Sequence, residues 1–389
     1  LGEVPLQLTG LQETLALPHS GYTEAAAVTD WTILSIYLFV LVVAVAAYNT
    51  KRSPRKASNV VLVIPSVANE KVRESLFAAL HHNRFLGVPI YLVIDEGAPL
   101  QRELEKLNWV RLVVVPRKYR PDLFGKGRAL RYFVENYVAK RPDMWYVFLD
   151  DDNLVLDDHF LYEIPYYEQR GYVAFNPVLV PRRGRSHLAY IIDLARLIDD
   201  LSFFRFFTGL LKRPLVGMHG ELLGVKGDLL LKIDAFNEPS KVEDYVLASK
   251  IVRARGRTWQ SRTRVSVLSP NSLRDLVKQR GRWHSGILES LPRVPVSMRV
   301  ATLVKSFMRT LGLVALWALL PLTNSVLILI VGLVTGIVYW GVYAYGALKS
   351  KKLIYIFTIP AFWLIEGLGF LYGIMKIRSR EFTVIDKRL

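Results

Sequence analysis

Two kinds of apolar pattern divide the chain: long uncharged runs toward its ends and short runs in its middle. Residues 31–48, WTILSIYLFVLVVAVAAY, carry no charge over a length that spans a bilayer core, which predicts a transmembrane helix. From Leu311 to Leu348 no charged residue occurs. That stretch is too long for one span, and the turn signal PLTN at 321–324 divides it into two helices. The first begins near Ala301, with Lys305 and Arg309 expected to snorkel toward headgroups. A third run, Leu353 to Met375, is interrupted only by Glu366, with Pro360 as the expected kink. An acid at that depth is costly and faces protein or water.

Between residues 57 and 290 the runs shorten. VVLVI (60–64), IYLVI (90–94), RLVVV (111–115) and WYVFL (145–149) are β-branched or aromatic, and segments of helical spacing such as Lys126 to Lys140 separate them. A βαβ series of this kind predicts a parallel sheet covered on both faces, with ligands bound at the carboxyl ends of its strands. Acids collect at those ends: Asn69 and Glu70 after the first run, Asp95 and Glu96 after the second, Asp150, Asp151 and Asp152 after the fourth. Carboxylates converging on one crevice suit a hard cation, Mg²⁺ or Mn²⁺, held together with substrate phosphates. A bare Asp triplet also suits a solvated loop or a helix cap.

Charge sharpens the division. Lys and Arg number 51 against 34 Asp and Glu, a net charge of +17 that calls for an anionic partner: nucleic acid, anionic lipid or nucleotide phosphate. No cysteine is present, which excludes disulfides and Cys-ligated zinc or iron–sulfur sites. Glu3, Glu13, Glu24 and Asp30 precede the first apolar run without any Lys or Arg, unlike the basic start of a signal peptide, while Lys51, Arg52, Arg55 and Lys56 follow it. The positive-inside rule then places the amino-terminal segment 1–30 outside and the middle region in the cytoplasm, under a plasma membrane. Four spans would put the basic tail 377–389 outside, against the same rule; either the last run is re-entrant or the rule yields. Residues 188–214 mix Phe and Leu with Asp193, Arg196, Asp199, Asp200, Arg205 and Lys212, which suits an interfacial helix or an ordinary core helix.

Two further motifs carry chemistry. KVEDYVLASKI sets Glu243 and Asp244 at a helix start, where acids also serve as simple N-terminal stabilisers. SLRDLVKQRGRWHSGI offers Gln279, Arg280, Arg282 and Trp283 within five positions, where Arg binds phosphate oxygens and Trp offers a flat face to a sugar. A solvated basic helix is the alternative.

Taken in order, IPSVANE, LVIDEG, GKGRAL, FLDDDN, HGELLGVK, VEDYVLA and QRGRW resemble the membrane-bound family 2 glycosyltransferases, the cellulose and hyaluronan synthase group with its nonprocessive relatives. The resemblance covers residues 59–290, and the small membrane portion looks most like archaeal or egghead-type β-mannosyltransferases. It implies an α/β GT-A cytoplasmic domain over 57–290, Rossmann-like with a mostly parallel sheet. Transmembrane and interfacial helices complete it at 31–48 and 296–376.

By the same resemblance Glu70 and Asp95 lie on the donor side, Asp95 at the base, while Asp150 and Asp152 form the DxD pair around Asp151 that holds diphosphate through a divalent metal. Lys126 faces diphosphate or base, and Gln279 and Arg282 of QxxRW lie near the diphosphate. Asp244 becomes the base that deprotonates the acceptor, beside Glu243, and Trp283 the acceptor platform. Arg280 occupies a variable position of that motif. His219, Gly220 and Glu221 match an acceptor-binding segment, although His219 and Glu221 depart from the usual residues.

The implied partners are a nucleotide-sugar donor, a lipid-linked glycan acceptor and membrane lipids, with no nucleic acid. The implied reaction is a single inverting displacement, with mannose from GDP-mannose as the expected donor. A processive synthase using a UDP-sugar and a nonenzymatic sugar-nucleotide or lipid-binding protein are the competing readings.

Overall fold

The computed structural model describes residues 21–307 and 325–377. The basic tail, Arg309, the PLTN turn and the first twenty residues lie outside the described residues. The four short apolar runs form β1 (Val60–Pro65), β2 (Ile90–Asp95), β3 (Val110–Val115) and β4 (Trp145–Phe148). After them come β5 (Leu154–Val155), β6 (Tyr172–Arg182), β7 (Leu223–Lys226) and β8 (Arg257–Leu268). All eight lie in one sheet of order β3-β2-β1-β4-β7-β6-β8-β5.

β1 to β4 pair in parallel, and β1 and β4 are buried along their whole length. The alternation of the pleat explains this. Leu62 and Ile64 of β1 point toward Leu76 and Leu80 of the Arg73–Asn83 helix, while Val61 and Val63 point toward Leu130 and Phe133 of the Gly125–Asn136 helix. A strand covered on both faces needs apolar residues at every position. The second half of the sheet departs from a purely parallel design: β7 runs antiparallel to both β4 and β6, whereas β6 and β8 are parallel. β7 fits there because Gly224 leaves the space in which the Phe175 ring of β6 lies.

Outside the sheet, the apolar runs form the helices Gly21–Ala47 and Val326–Lys349 and a 3₁₀ run, Leu353–Ala361, leading into the helix Phe362–Met375. Among the described residues no single helix is long and apolar enough to cross a membrane. Leu353–Ile359 and Leu364–Met375 meet that test together, bent by 58° where the Pro360 kink was expected, a geometry shared by broken spans and re-entrant loops.

The segment 188–214 is not one helix. It forms His187–Asp193, Ala195–Asp199 and a wide π-type turn sequence, Asp200–Leu210. Nor does it present an apolar face outward: Tyr190, Ile191 and Leu194 pack on Tyr343, Ala347 and Phe362, and Phe203 and Phe204 pack on Val40 and Val216. The segment is an internal layer between the sheet and the outer helices. A series of stacked rings strengthens that layer: Tyr172 on Trp259 (5.3 Å, 14°) and Trp259 on Tyr48 (5.8 Å, 19°), with Arg205 4.2 Å above the Tyr48 ring.

Candidate active site

The carboxyl ends of β1, β2 and β4 open into a cavity of about 640 Å³ whose walls include Asp95, Lys126, Asp150, Asp244, Arg282 and Trp283. Lys126 projects from the first turn of the Gly125–Asn136 helix and sits between Asp150 and Glu243, 2.8 Å from a carboxylate oxygen of each. Burial pulls its pKa down, but Asp150, Asp244 and Glu221 outweigh burial and hold it above the usual lysine value. Lys126 is therefore a charged ammonium among carboxylates. Gly220 is part of this arrangement, because a Cβ there would meet the Lys126 ammonium.

Asp151 accepts a hydrogen bond from Ser66 Oγ at 2.6 Å, which ties the loop after β4 to the end of β1. Asp152 is 1 % exposed, its carbonyl accepts from Arg182 Nη2 at 2.5 Å, and the residue belongs to the cavity wall with Asp150. Asp95 is the outermost of the set and pairs with Arg128 at 2.5 Å. Arg128 also donates to the carbonyls of Pro116 and Tyr119 and so fixes the loop beside that end of the cavity.

Glu243 and Asp244 begin the Glu243–Arg253 helix, as expected. Asp244 Oδ1 accepts from its neighbour's amide, Tyr245 N, at 2.8 Å. Burial raises the Asp244 pKa, Glu221 adds to the rise, and Lys126 opposes it; the net direction is upward. A carboxylate so placed is a stronger base than a solvated one.

The segment before β7 supplies the other wall. Gly217 takes φ +97°, and Leu222 takes φ +51°, a left-handed conformation that is strained for a bulky residue and directly follows Glu221. His219 Nε2 faces the Asp200 carboxylate, and its ring lies 3.9 Å from that of Phe204. Glu221 forms an ion pair with Arg196. Against burial, which raises it, Arg196 with His219 and Lys126 hold the Glu221 carboxyl below its ordinary value. His219 and Glu221, two of the residues expected at the acceptor, thus have partners from the 187–210 layer.

The QRGRW motif lies on the Leu273–Ser290 helix. Arg282 lines the cavity and donates to the Lys241 carbonyl at 3.2 Å; burial lowers its pKa, yet a guanidinium stays charged in any protein environment. Trp283 has the guanidiniums of Arg196 and Arg280 at 5.2 and 4.6 Å from its ring. Arg280, 1 % exposed, bonds Asp193 at 2.7 Å, Glu366 at 3.2 Å and Gln279 at 3.1 Å. Glu366, the acid that interrupted the last apolar run, is therefore buried against protein.

Most residues singled out in the sequence thus gather around one cavity. Glu70 does not: it is exposed in the turn after β1 and absent from the cavity wall. Lys305, expected to snorkel outward, instead lies 3.5 Å from Asp199 and 4.1 Å above the Phe204 ring, because the Val296–Phe307 helix turns it toward the cavity. Sequence reasoning missed the roles of Arg196 and Ser66 and ranked Arg280 low. The signal for Arg196 was a lone Arg inside the apolar stretch YIIDLARLI.

Among the described residues no group of three or more His, Cys, Asp or Glu is arranged to hold a metal. The donor set present, Asp150 and Asp152 on one wall, fits a hard divalent ion completed by substrate phosphates, which needs no all-protein cage.

Comparison with known proteins agrees with this architecture. The β-1,4-mannosyltransferase bre-3 of Caenorhabditis briggsae is 27 % identical over 314 residues, covering 72 % of this chain and 67 % of that protein. The β-1,4-mannosyltransferase egh of Drosophila melanogaster is 25 % identical over 336 residues, covering 77 % and 70 %. A mannosyltransferase from Pyrobaculum calidifontis, solved with GDP-Man and Mn²⁺, shares the GT-A-like fold at a TM-score of 0.53 and 16 % identity, over 90 % of this chain and 99 % of that one. Residues 145–371, more than half of the sequence, match the family described as glycosyl transferase family group 2, and the chain belongs to that family.

Proposed function

We propose that the chain transfers a mannosyl group from GDP-mannose, with inversion and one sugar at a time, to a polyprenyl-linked glycan at the cytoplasmic face of a membrane. The observation that carries this reading is the cluster in the cavity: Lys126 between Asp150 and Glu243, with Asp244 and Arg282 in the same walls. The relatives named as β-1,4-mannosyltransferases support mannose, and the fold shared with a protein solved with GDP-Man and Mn²⁺ supports the donor.

The residues divide the work. Asp150 and Asp152 would hold a divalent ion, which would supply positive charge to the donor diphosphate as leaving group. Lys126 and Arg282 place fixed positive charge beside that leaving group, so no protonating acid is required. Asp244 takes the proton of the acceptor hydroxyl as it attacks the anomeric carbon from the face opposite the diphosphate. A single displacement of this kind converts an α-linked donor into a β-linkage.

The outer helices support the membrane part of the reading. Phe39 and Val42, Val326 and Ile337, Phe357, and Leu368 and Met375 are exposed apolar side chains on four segments outside the sheet. Exposed large apolar side chains concentrated on such helices fit a surface that meets lipid. The Val296–Phe307 helix, with Val296, Val300 and Leu303 exposed and Thr302 and Lys305 on the cavity, fits an interfacial helix beside the acceptor entrance.

The test is a transfer assay on purified protein with Mn²⁺ or Mg²⁺, offering GDP-mannose, UDP-glucose and UDP-GlcNAc against a lipid-linked acceptor and resolving product length. One added mannose is the expected product. A long ladder from a UDP-sugar would overturn the reading in favour of a polymer synthase.

A further inference from the structure

The C-terminal helix Phe362–Met375 crosses the QRGRW helix through glycines. A Cβ at Gly369 would stand 2.6 Å from Arg280 Cβ, one at Gly373 would stand 2.8 Å from His284 Cβ, and one at Gly281 would run into the Tyr372 ring. Glu366, Gly369 and Gly373 follow one another at helical spacing and share this face. The seam therefore brings the two backbones close and delivers one charged group, Glu366, to a defined point beside Arg280. Both members are sealed from solvent, at 2 % and 1 % exposure. The Arg280 guanidinium is held from two sides, by Glu366 through Nε and by Asp193 through Nη2. Its remaining nitrogen, Nη1, donates to Gln279 Oε1, and the guanidinium carbon lies 4.6 Å from the Trp283 ring centre.

We infer that Glu366 is a positioning residue for glycosyl transfer: through Arg280 it fixes the orientation of Trp283 at the acceptor end of the cavity. Without Glu366 the guanidinium keeps Asp193 and Gln279 but loses the charged partner at Nε, and the Trp283 ring would lose a firmly fixed neighbour. Glu366 itself need touch neither donor nor acceptor. The C-terminal helix thereby becomes a part of the acceptor platform, which a membrane anchor need not be. This inference rests on the proposed transfer reaction.

The experiment is a double-mutant cycle in the full-length membrane protein with Glu366→Gln, Trp283→Phe and the double variant, measuring donor affinity by titration and the KM for acceptor and kcat by transfer. Glu366→Gln is expected to raise the acceptor KM about tenfold, with donor affinity within about twofold of wild type, and Glu366→Asp to recover most of the loss. In the Trp283→Phe background the Glu366→Gln change should add less than about twofold, because the two residues act through one contact. Additive effects, or a parallel loss of donor affinity and thermal stability, would overturn the inference and leave the transfer reaction standing. A wild-type protein that transfers no sugar to the acceptor would overturn both.

Discussion

The two halves of the cavity are built differently. On the donor side, Lys126, Asp95 and Asp150 stand at the ends of a parallel sheet, and each is placed by the element that carries it. On the acceptor side, His219 and Glu221 come from a loop tied to the sheet only through Asn176 of β6, Trp283 comes from a helix, and ion pairs orient their side chains: Arg196 with Glu221, Arg280 with Asp193 and Glu366. Backbone hydrogen bonding thus sets the donor half, and charge pairing across distant segments sets the acceptor half. The first arrangement tolerates loss of a side chain far better than the second, since a buried ion deprived of its partner has nothing to replace it.

The comparison breaks most visibly at the base. Asp244→Asn should lower the transfer rate by about 10²–10⁴-fold while donor affinity, measured by titration with the nucleotide sugar, stays near wild type. Equal loss of binding and rate would move Asp244 to the donor half. Next, removing the divalent ion with a chelator should abolish transfer and weaken donor binding without changing the unfolding midpoint, because the acids of the donor side are held by the sheet. A large drop in thermal stability on chelation would assign the ion a structural role instead.

Third, Arg196→Met leaves Glu221 without its paired cation, while Asp193 keeps Arg280, and should destabilise the fold by about 3 kcal/mol in denaturant titration. The control is the solvent-exposed pair Arg73–Glu103, 2.7 Å apart and outside the cavity wall. Arg73→Ala should leave the midpoint unchanged within error, since exposed pairs are screened by water and salt. Equal effects of the two substitutions would mean that the pairing of the acceptor half contributes no more than an exposed surface pair.

The smallest effect is in pH dependence. The Asp244 carboxyl titrates above its ordinary value, so the acid limb of the kcat profile should fall at a higher pH than for a solvated aspartate. The stability sign is opposite to that of a salt-bridged acid. A raised folded-state pKa favours the native state at low pH, and that contribution is lost as pH rises from the unfolded value through the folded one. At neutral pH Asp244→Asn should therefore unfold at a slightly higher temperature than wild type, and a lower midpoint would contradict the burial argument.

The donor half was legible in the sequence for a physical reason. A strand buried on both faces must be apolar throughout, so VVLVI and WYVFL announce themselves locally, and the acids that follow them mark the strand ends. The acceptor half resisted because its determinants are pairings between segments far apart: Arg280 reaches Glu366 across 86 positions and Asp193 across 87. No local pattern in one sequence encodes such a choice. The 188–214 segment misled for a related reason. Its charges read as the polar face of a surface helix, whereas Asp193, Arg196, Asp199 and Asp200 each find an internal partner that permits burial. Glu366 looked like an isolated cost until the helix carrying Arg280 was laid against it.

The ring series at Tyr48 has a practical consequence for handling the molecule. Tyr48 closes the uncharged run 31–48, stacks on Trp259 of β8, and donates its hydroxyl to the Gln260 carbonyl. A fragment that starts beyond residue 48, the obvious choice for obtaining a detergent-free domain, would strip the cover from Trp259 and leave Arg205 without its aromatic neighbour. Such a fragment would present a sticky aromatic face at the edge of its own sheet, and the yield of monodisperse material would depend on where the cut is made by a single residue.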